Sequence, residues 1–359
     1  MTTMRKQTEH RPGAPEAERW PASARAARLH IVTGKGGTGK STIAAALALA
    51  LAYDGKRVLL VETEERQVIA QLFDLPPLPY EERRIAVAPG GGEVRALAID
   101  VEAALFEYFA MFYNLGFAAR SLKRLGAVEF ATTLAPGLRD VLITGKIKET
   151  VTRLEKHGKS EKLKDSGGLG AFMYDAVVVD APPTGRVVPF LNVTAAMADL
   201  ARRGPIHSQA TGVMSLMHSH NTCVHLVTLL EDMPVMETLE AAEQLRAGDL
   251  PIGSIIVNQV SAAHLPETLL ADAALGTVDS ASLRRGLASY GIDADRAALA
   301  GFADEIRRHA EHTAAEAECR TQLAATNLPM IDLPAMPDPV ELGELYELAE
   351  LLIAQGVSV

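Results

Sequence analysis

Short apolar runs alternate along this chain with longer stretches in which apolar positions recur at helical spacing. Leu29–Thr33 reads as a short strand, and Ser41–Tyr53 is an Ala/Leu run suited to a helix that Asp54-Gly55-Lys56 closes. Arg57–Val61 is a compact apolar run of the kind a buried parallel strand needs. Val94–Ile99, Ala176–Asp180, Thr222–Leu229, Ser254–Val257 and Leu328–Leu333 repeat that pattern. An amphipathic helix over Pro234–Arg246 and a terminal helix reaching Ala354, after Pro334, Pro337 and Pro339, fill the later intervals. Such alternation predicts an α/β protein with a mostly parallel, doubly wound sheet covered on both faces. From Val101 to Lys156 the helical period continues with no strand of comparable strength, and a further helical stretch reaches Leu200. The pattern therefore predicts a helical subdomain, roughly 101–156 and 186–220, inserted into one domain spanning 28–359. Residues 1–27 carry Pro12, Pro15, Pro21 and scattered charges without periodicity, and read as a disordered tail.

Composition narrows the class. An apolar share of 48% in 359 residues supports a large core, and a net charge of −10 argues against a general nucleic-acid binder. Cys223 and Cys319 are too far apart in sequence for a disulfide framework or a Cys-x-x-Cys metal site, which fits a reducing cytoplasm. No apolar run approaches the roughly 18 residues of a membrane span, and no apolar core suits a signal peptide.

Several local features stand out against that average. Six of the sixteen Phe and Tyr residues (Phe106, Tyr108, Phe109, Phe112, Tyr113 and Phe117) fall within twelve positions. They read as the core of the helical subdomain or as a platform for an apolar partner. Residues 118–164 hold eleven Lys/Arg against five Asp/Glu, either a solvated basic face or a site for an acidic partner or membrane headgroups. His218, His220 and His225 lack a cysteine or carboxylate at ligand spacing, which argues against a metal site. Two Met-x-x-Met pairs, Met214/Met217 and Met233/Met236, read by default as core filling, with an adaptable apolar surface as the alternative.

The chemistry is concentrated at Gly34-Lys35-Gly36-Gly37-Thr38-Gly39-Lys40-Ser41-Thr42. Gly34 and Gly39, separated by four residues and followed by Lys40 and Ser41, match the phosphate-binding loop pattern. A strand before it and a helix after it would present converging N–H groups and a positive dipole end to an anion. Lys40 would reach the β- and γ-phosphates of a bound nucleotide, and the Ser41 hydroxyl would ligate Mg²⁺. Gly36, Gly37, Thr38, Gly39 and Thr42 complete the expected cradle. Ala176–Asp180, an apolar run ending in a carboxylate, supplies the second expected Mg²⁺ group, Asp180, which would hold the ion directly or through water. Glu62-Thr63-Glu64-Glu65-Arg66 forms an acidic loop at the carboxyl end of a strand, the edge where open α/β sheets hold ligands.

The lysine directly after Gly34 makes this loop similar to the deviant Walker A of the signature-lysine ATPases, which include partition, septum-site and nitrogenase iron proteins. Asp180-Ala181-Pro182-Pro183-Thr184-Gly185 resembles the Asp-Thr-Ala-Pro-Thr-Gly-His switch II of the arsenical-pump-driving (ArsA-type) ATPases, a family that includes targeting factors for tail-anchored membrane proteins. Pro136-Gly137-Leu138-Arg139-Asp140 resembles the Pro-Gly-x-x-Glu that opens a helix of that family's helical subdomain, and Ile256-Val257-Asn258-Gln259 its adenine-recognising segment. The resemblance runs from about residue 29 onward and is closest to actinobacterial members. It implies a P-loop NTPase fold, Asn258 at the adenine, and a dimer sandwiching two ATPs in which Lys35 of one subunit reaches phosphate in the other. A second cation there would offset charge spreading over the γ-phosphoryl oxygens.

The departures are informative too. Where the family has a water-positioning Asp in Ser-Thr-Asp-Pro-Ala-His, this chain has Glu64, one methylene longer and without the following Pro. A misplacement of about 1 Å costs on the order of a hundredfold in rate, so slow hydrolysis is expected. Arg186 replaces the switch II His, the family's paired zinc-binding cysteines at the dimer interface are absent, and two distant cysteines cannot build its three-cysteine arsenite site.

The resulting expectation is a cytoplasmic, ATP-hydrolysing, dimer-forming switch with Glu64, Lys35 and Asp180 as catalytic residues. It would be a homodimer or a heterodimer with a paralogue, handling a hydrophobic client or membrane-protein partner. The alternative is a low-turnover nucleotide-binding scaffold, one half of such a heterodimer. A DNA- or membrane-bound partition or septum type is disfavoured, because the balance is acidic and Leu342–Val359 contains no Lys or Arg.

Overall fold

A computed structural model describes residues 19–113, 137–155, 171–192, 205–261 and 265–359. Its centre is an eight-stranded sheet built from β1 (Leu29–Gly34), β2 (Arg57–Glu62), β3 (Arg83–Val87), β4 (Glu93–Ala98), β5 (Ala176–Asp180), β6 (Thr222–Thr228), β7 (Ile252–Val260) and β8 (Met330–Pro334). The order is β3-β4-β2-β5-β1-β6-β7-β8, and every pairing is parallel except β3 with β4. The α/β, doubly wound expectation holds. Strand β3 went unpredicted because it is an exposed antiparallel edge with no apolar run to mark it.

Side-chain alternation divides the core between the two faces of the sheet. Val58 and Leu60 join one cluster, and Leu59 and Val61 the other. The first cluster packs under α1 (Ala22–Ala26) and α2 (Lys40–Leu51). Every α2 residue from Ile43 to Leu51 is buried, so this helix shows no polar face. The second cluster packs under helices of the opposite layer: α4 (Val101–Tyr113), α5 (Leu138–Thr152), α6 (Thr184–Leu191), α7 (Pro205–Met217) and α8 (Asp232–Ala247). A short α3 (Val68–Leu72) follows β2. Between β7 and β8 stand α9 (Glu267–Ala274), α10 (Ser280–Ser289) and α11 (Arg296–Ala324), and α12 (Leu342–Ala354) closes the chain against α2. The α9–α11 set was not anticipated, although Asp279 and Asp295 cap α10 and α11 by accepting from Ala281 N and Ala298 N.

Residues 19–27, which the sequence assigned to the tail, belong to the fold. Trp20 is fully buried, stacks on His225 at 4.8 Å between ring centroids, and donates from Nε1 to the Ser358 carbonyl at 2.9 Å. One large aromatic among prolines and charges produces no periodicity, yet it is the bulkiest of the fully buried side chains among the described residues.

The other local expectations divide. Met217 lies in the core, but Met233 and Met236 are 59% and 54% exposed, so core filling fails for the second pair. Only Phe106 of the aromatic group has a described side chain; those of Tyr108, Phe109, Phe112 and Tyr113 and the whole of Phe117 lie outside the description. Of the four described cations in the basic stretch, Arg139, Lys146 and Arg153 pair with carboxylates (Glu65, Glu107 and Glu82 respectively), whereas Lys148 lies against Gly212. Residues 118–136 and 156–164 lie outside the described set. Among the described residues no helix is long and apolar enough to cross a membrane.

Candidate active site

The carboxyl ends of β1, β2 and β5 converge because these strands are adjacent, in the order β2-β5-β1. The glycine loop leaves β1 and enters α2 through two left-handed residues, Gly37 at φ 91° and Gly39 at φ 85°. A side chain at Gly39 would also be only 2.4 Å from Asn258 Nδ2, so conformation and space both demand glycine there. Thr38 Oγ1 donates to the Lys35 carbonyl at 2.9 Å and closes the turn from within.

Asn258, at the end of β7, is buried behind the loop and donates from Nδ2 to the Thr38 carbonyl at 3.0 Å. Its amide braces the phosphate loop, a contact that the adenine-recognition expectation does not include.

Ser41, in the first turn of α2, donates to Asp180 Oδ2 at 2.6 Å. The Asp180 carbonyl accepts from Thr63 Oγ1 at 2.7 Å, and the Pro182 carbonyl from Thr33 Oγ1 at 2.7 Å. Strands β1 and β2 thus pin the segment on either side of the Asp180 side chain. Burial raises the Asp180 carboxyl above its ordinary value, while the Ser41 hydrogen bond and the Lys40 charge work in the opposite direction. Two hard oxygen donors in contact, one of them a buried carboxylate, fit a Mg²⁺ site.

Glu62, the Cα partner of Asp180 across β2 and β5, was overlooked as a functional candidate. It is 2% exposed, and its Oε1 accepts from Val68 N at 2.8 Å at the start of α3. Its Oε2 is buried without a partner. Burial, chiefly, pushes this carboxyl up to about 7. Its position directly before Thr63 and Glu64, on a strand ending beside Asp180, was the signal available in sequence.

Glu64 is partly buried and faces Arg66, whose Nε lies 3.4 Å from Glu64 Oε2. The start of α5 touches the loop after β2 and the first turn of α6: Arg139 reaches Glu65 at 3.4 Å, and Asp140 reaches Arg186 at 3.9 Å. Lys35 stands apart from Ser41 and Asp180 in its partnership, with Nζ 2.9 Å from Glu237 Oε1 on α8. Of the three histidines considered for a metal, His225 is fully buried against Trp20 and His30, and His218 contacts the Asp249 carbonyl and Asn192 Oδ1. Cys223 and Cys319 are both buried, in β6 and α11.

Comparison with known proteins agrees with this geometry. A family profile described as anion-transporting ATPase matches residues 27–218. ATPase BagA of Mycobacterium tuberculosis (strain H37Rv) is 58% identical over 338 residues, covering 94% of this chain and 96% of that protein. An arsenical pump-driving ATPase of Escherichia coli is 26% identical over 333 residues, 91% of this chain but 49% of its own length. ATPase GET3 of Kluyveromyces lactis is 27% identical over 275 residues, covering 67% of this chain and 74% of its own. With the phosphate loop, the Ser41–Asp180 pair and the parallel sheet in place, the chain belongs to the anion-transporting ATPase family and is an ATPase.

Proposed function

We propose that this ATPase is a dimer-forming switch of the cytoplasm that couples its nucleotide state to the handling of an apolar client. The 2.6 Å contact of Ser41 Oγ with Asp180 Oδ2 at the mouth of the glycine loop carries the reading, because it joins the phosphate loop to the carboxylate strand. Lys40 and the loop amides from Gly36 to Thr42 bind the phosphates, and Asn258 keeps the loop in shape from behind. Ser41 and Asp180 hold Mg²⁺, which when bound neutralises charge on the β- and γ-phosphate oxygens. Glu64 orients the attacking water, and Lys35 acts on the phosphate held by a second subunit.

Support for a dimer comes from the exposed Met233 and Met236, which lie on α8 close to Glu237, the partner of Lys35. An apolar surface beside a residue assigned to act across subunits suits contact with another chain. Conformational coupling to a client would run through α5, whose first residues touch Glu65 after β2 and Arg186 in α6, the segments that follow the two carboxylate-bearing strands.

A second reading, a low-turnover scaffold paired with a paralogue, draws on the Glu64–Arg66 contact, which engages the carboxylate assigned to water. Steady-state turnover separates the two. Lys40→Ala is expected to abolish ATP hydrolysis by the purified protein; activity that persists unchanged would falsify the enzymatic mechanism.

A further inference from the structure

Glu237 belongs to none of the phosphate-site roles above, yet its carboxylate takes partners from two separate segments. Oε1 meets Lys35 Nζ at 2.9 Å, and Oε2 accepts from Thr184 Oγ1 at 3.3 Å. Lys35 follows Gly34 in the phosphate loop, and Thr184 opens α6 four residues after Asp180. One side chain on α8 therefore links the phosphate loop to the segment that carries Asp180. The Lys35 and Glu237 side chains are 26% and 35% exposed, so water can replace either partner and the contact is reversible.

The surroundings of the pair point outward. Helical spacing places Met233, Met236, Glu237 and Glu240 on neighbouring positions of one α8 face. Two largely exposed methionines beside a lysine already neutralised in its own chain make a surface suited to a second protein.

We propose that Glu237 is a positioning residue for Lys35, a latch in cis that holds the lysine on its own subunit until a second copy arrives. This rests on the reading that Lys35 acts across the dimer. For Lys35 to reach a partner's phosphate, its pair with Glu237 must open, and the free energy of opening is subtracted from dimer formation. Because the other carboxylate oxygen holds Thr184, displacement of the 180–184 segment loosens the same latch. The phosphate site can thereby influence when Lys35 is released.

The test uses Glu237→Gln, which keeps the shape and an acceptor oxygen for Thr184 but removes the charge that holds Lys35. Dimerisation is followed by sedimentation with saturating ATP and Mg²⁺. The dimer dissociation constant is expected to fall by about 1.5- to 5-fold, the range of a part-exposed ion pair. Glu237→Asp, which retains the charge, should lie closer to the natural protein. The tightening should vanish in a Lys35→Met background, where no ammonium remains to be held. An equal effect in both backgrounds, or no effect in either, overturns the latch. Mixing Lys35→Ala with Lys40→Ala subunits separates the two levels. If mixing restores hydrolysis and Glu237→Gln shows no Lys35-dependent shift, the latch alone is wrong. If mixing restores nothing, the trans reading fails and the latch falls with it.

Discussion

Ser41 Oγ and Asp180 Oδ2 lie 2.6 Å apart, joining the first turn of a helix to the last residue of a strand 139 positions later. The contact exists because β1 and β5 are adjacent and in register, with Val32 opposite Asp180. Burial disfavours the Asp180 charge, and a hydroxyl with one ammonium only partly offsets that. A divalent cation would complete the compensation.

Asp180→Asn tests that assignment. The amide keeps an acceptor for the Ser41 hydroxyl and removes the charge, so folding should be preserved. The Mg²⁺ concentration supporting ATP binding and turnover should rise at least ~10- to 100-fold. Titration of nucleotide binding with Mg²⁺ reads this directly, and an unchanged midpoint would count against Asp180 as a ligand.

Gly39→Ala should weaken nucleotide binding for two separable reasons. The left-handed backbone at φ 85° costs a residue with Cβ about 1 kcal/mol, and the added carbon would collide with Asn258 Nδ2. Adding Asn258→Ala removes the collision but not the backbone strain, and it also removes the brace on the Thr38 carbonyl. The double variant should therefore remain defective. Equilibrium ATP binding, compared with a thermal melt of each variant, distinguishes a distorted loop from a destabilised fold.

Acid should destabilise the fold through the stacked Trp20–His30–His225 group. Ser254 N donates to His225 Nδ1, so His225 carries its proton on Nε2 and donates it to His30 Nδ1 at 3.2 Å. Both rings are therefore neutral and fully buried. Burial pushes His30 down to about 4 from its ordinary 6.5. The unfolded chain then binds the extra proton first, so the stabilisation is complete above pH 6.5 and is lost as pH falls towards 4. The loss at His30 amounts to roughly 3 kcal/mol. Urea unfolding at pH 7.5 and pH 4.5 should show it, and His30→Phe should flatten the difference while lowering stability at pH 7.5.

How much of this was legible in the chain depended on the kind of signal. Strands such as Arg57–Glu62 and Ala176–Asp180 were readable because burial on both faces leaves a continuous apolar run. The phosphate loop was readable because its glycines are demanded by backbone geometry. Helices α10 and α11 were missed, since their exposed faces dilute the apolar period, and the cap residues Asp279 and Asp295 were the only sharp marks. Trp20 and Glu62 illustrate a different limit. Each is a single residue whose burial depends on partners hundreds of positions or one strand away, Ser358 for Trp20 and Asp180 for Glu62. The same holds for Glu237, whose meeting with Lys35 needs α8 folded back beside the loop.

Lys35 completing the site of a second subunit is the central claim, and subunit mixing tests it most directly. Lys35→Ala and Lys40→Ala proteins are each expected to be nearly inactive alone. Combined in equal amounts with ATP and Mg²⁺, they form heterodimers with one loop that binds phosphate through its own Lys40 and receives Lys35 from the other chain. Hydrolysis is expected to reappear in the mixture, approaching a quarter of the natural rate for random pairing of independent sites. A mixture as inactive as its components would contradict the claim.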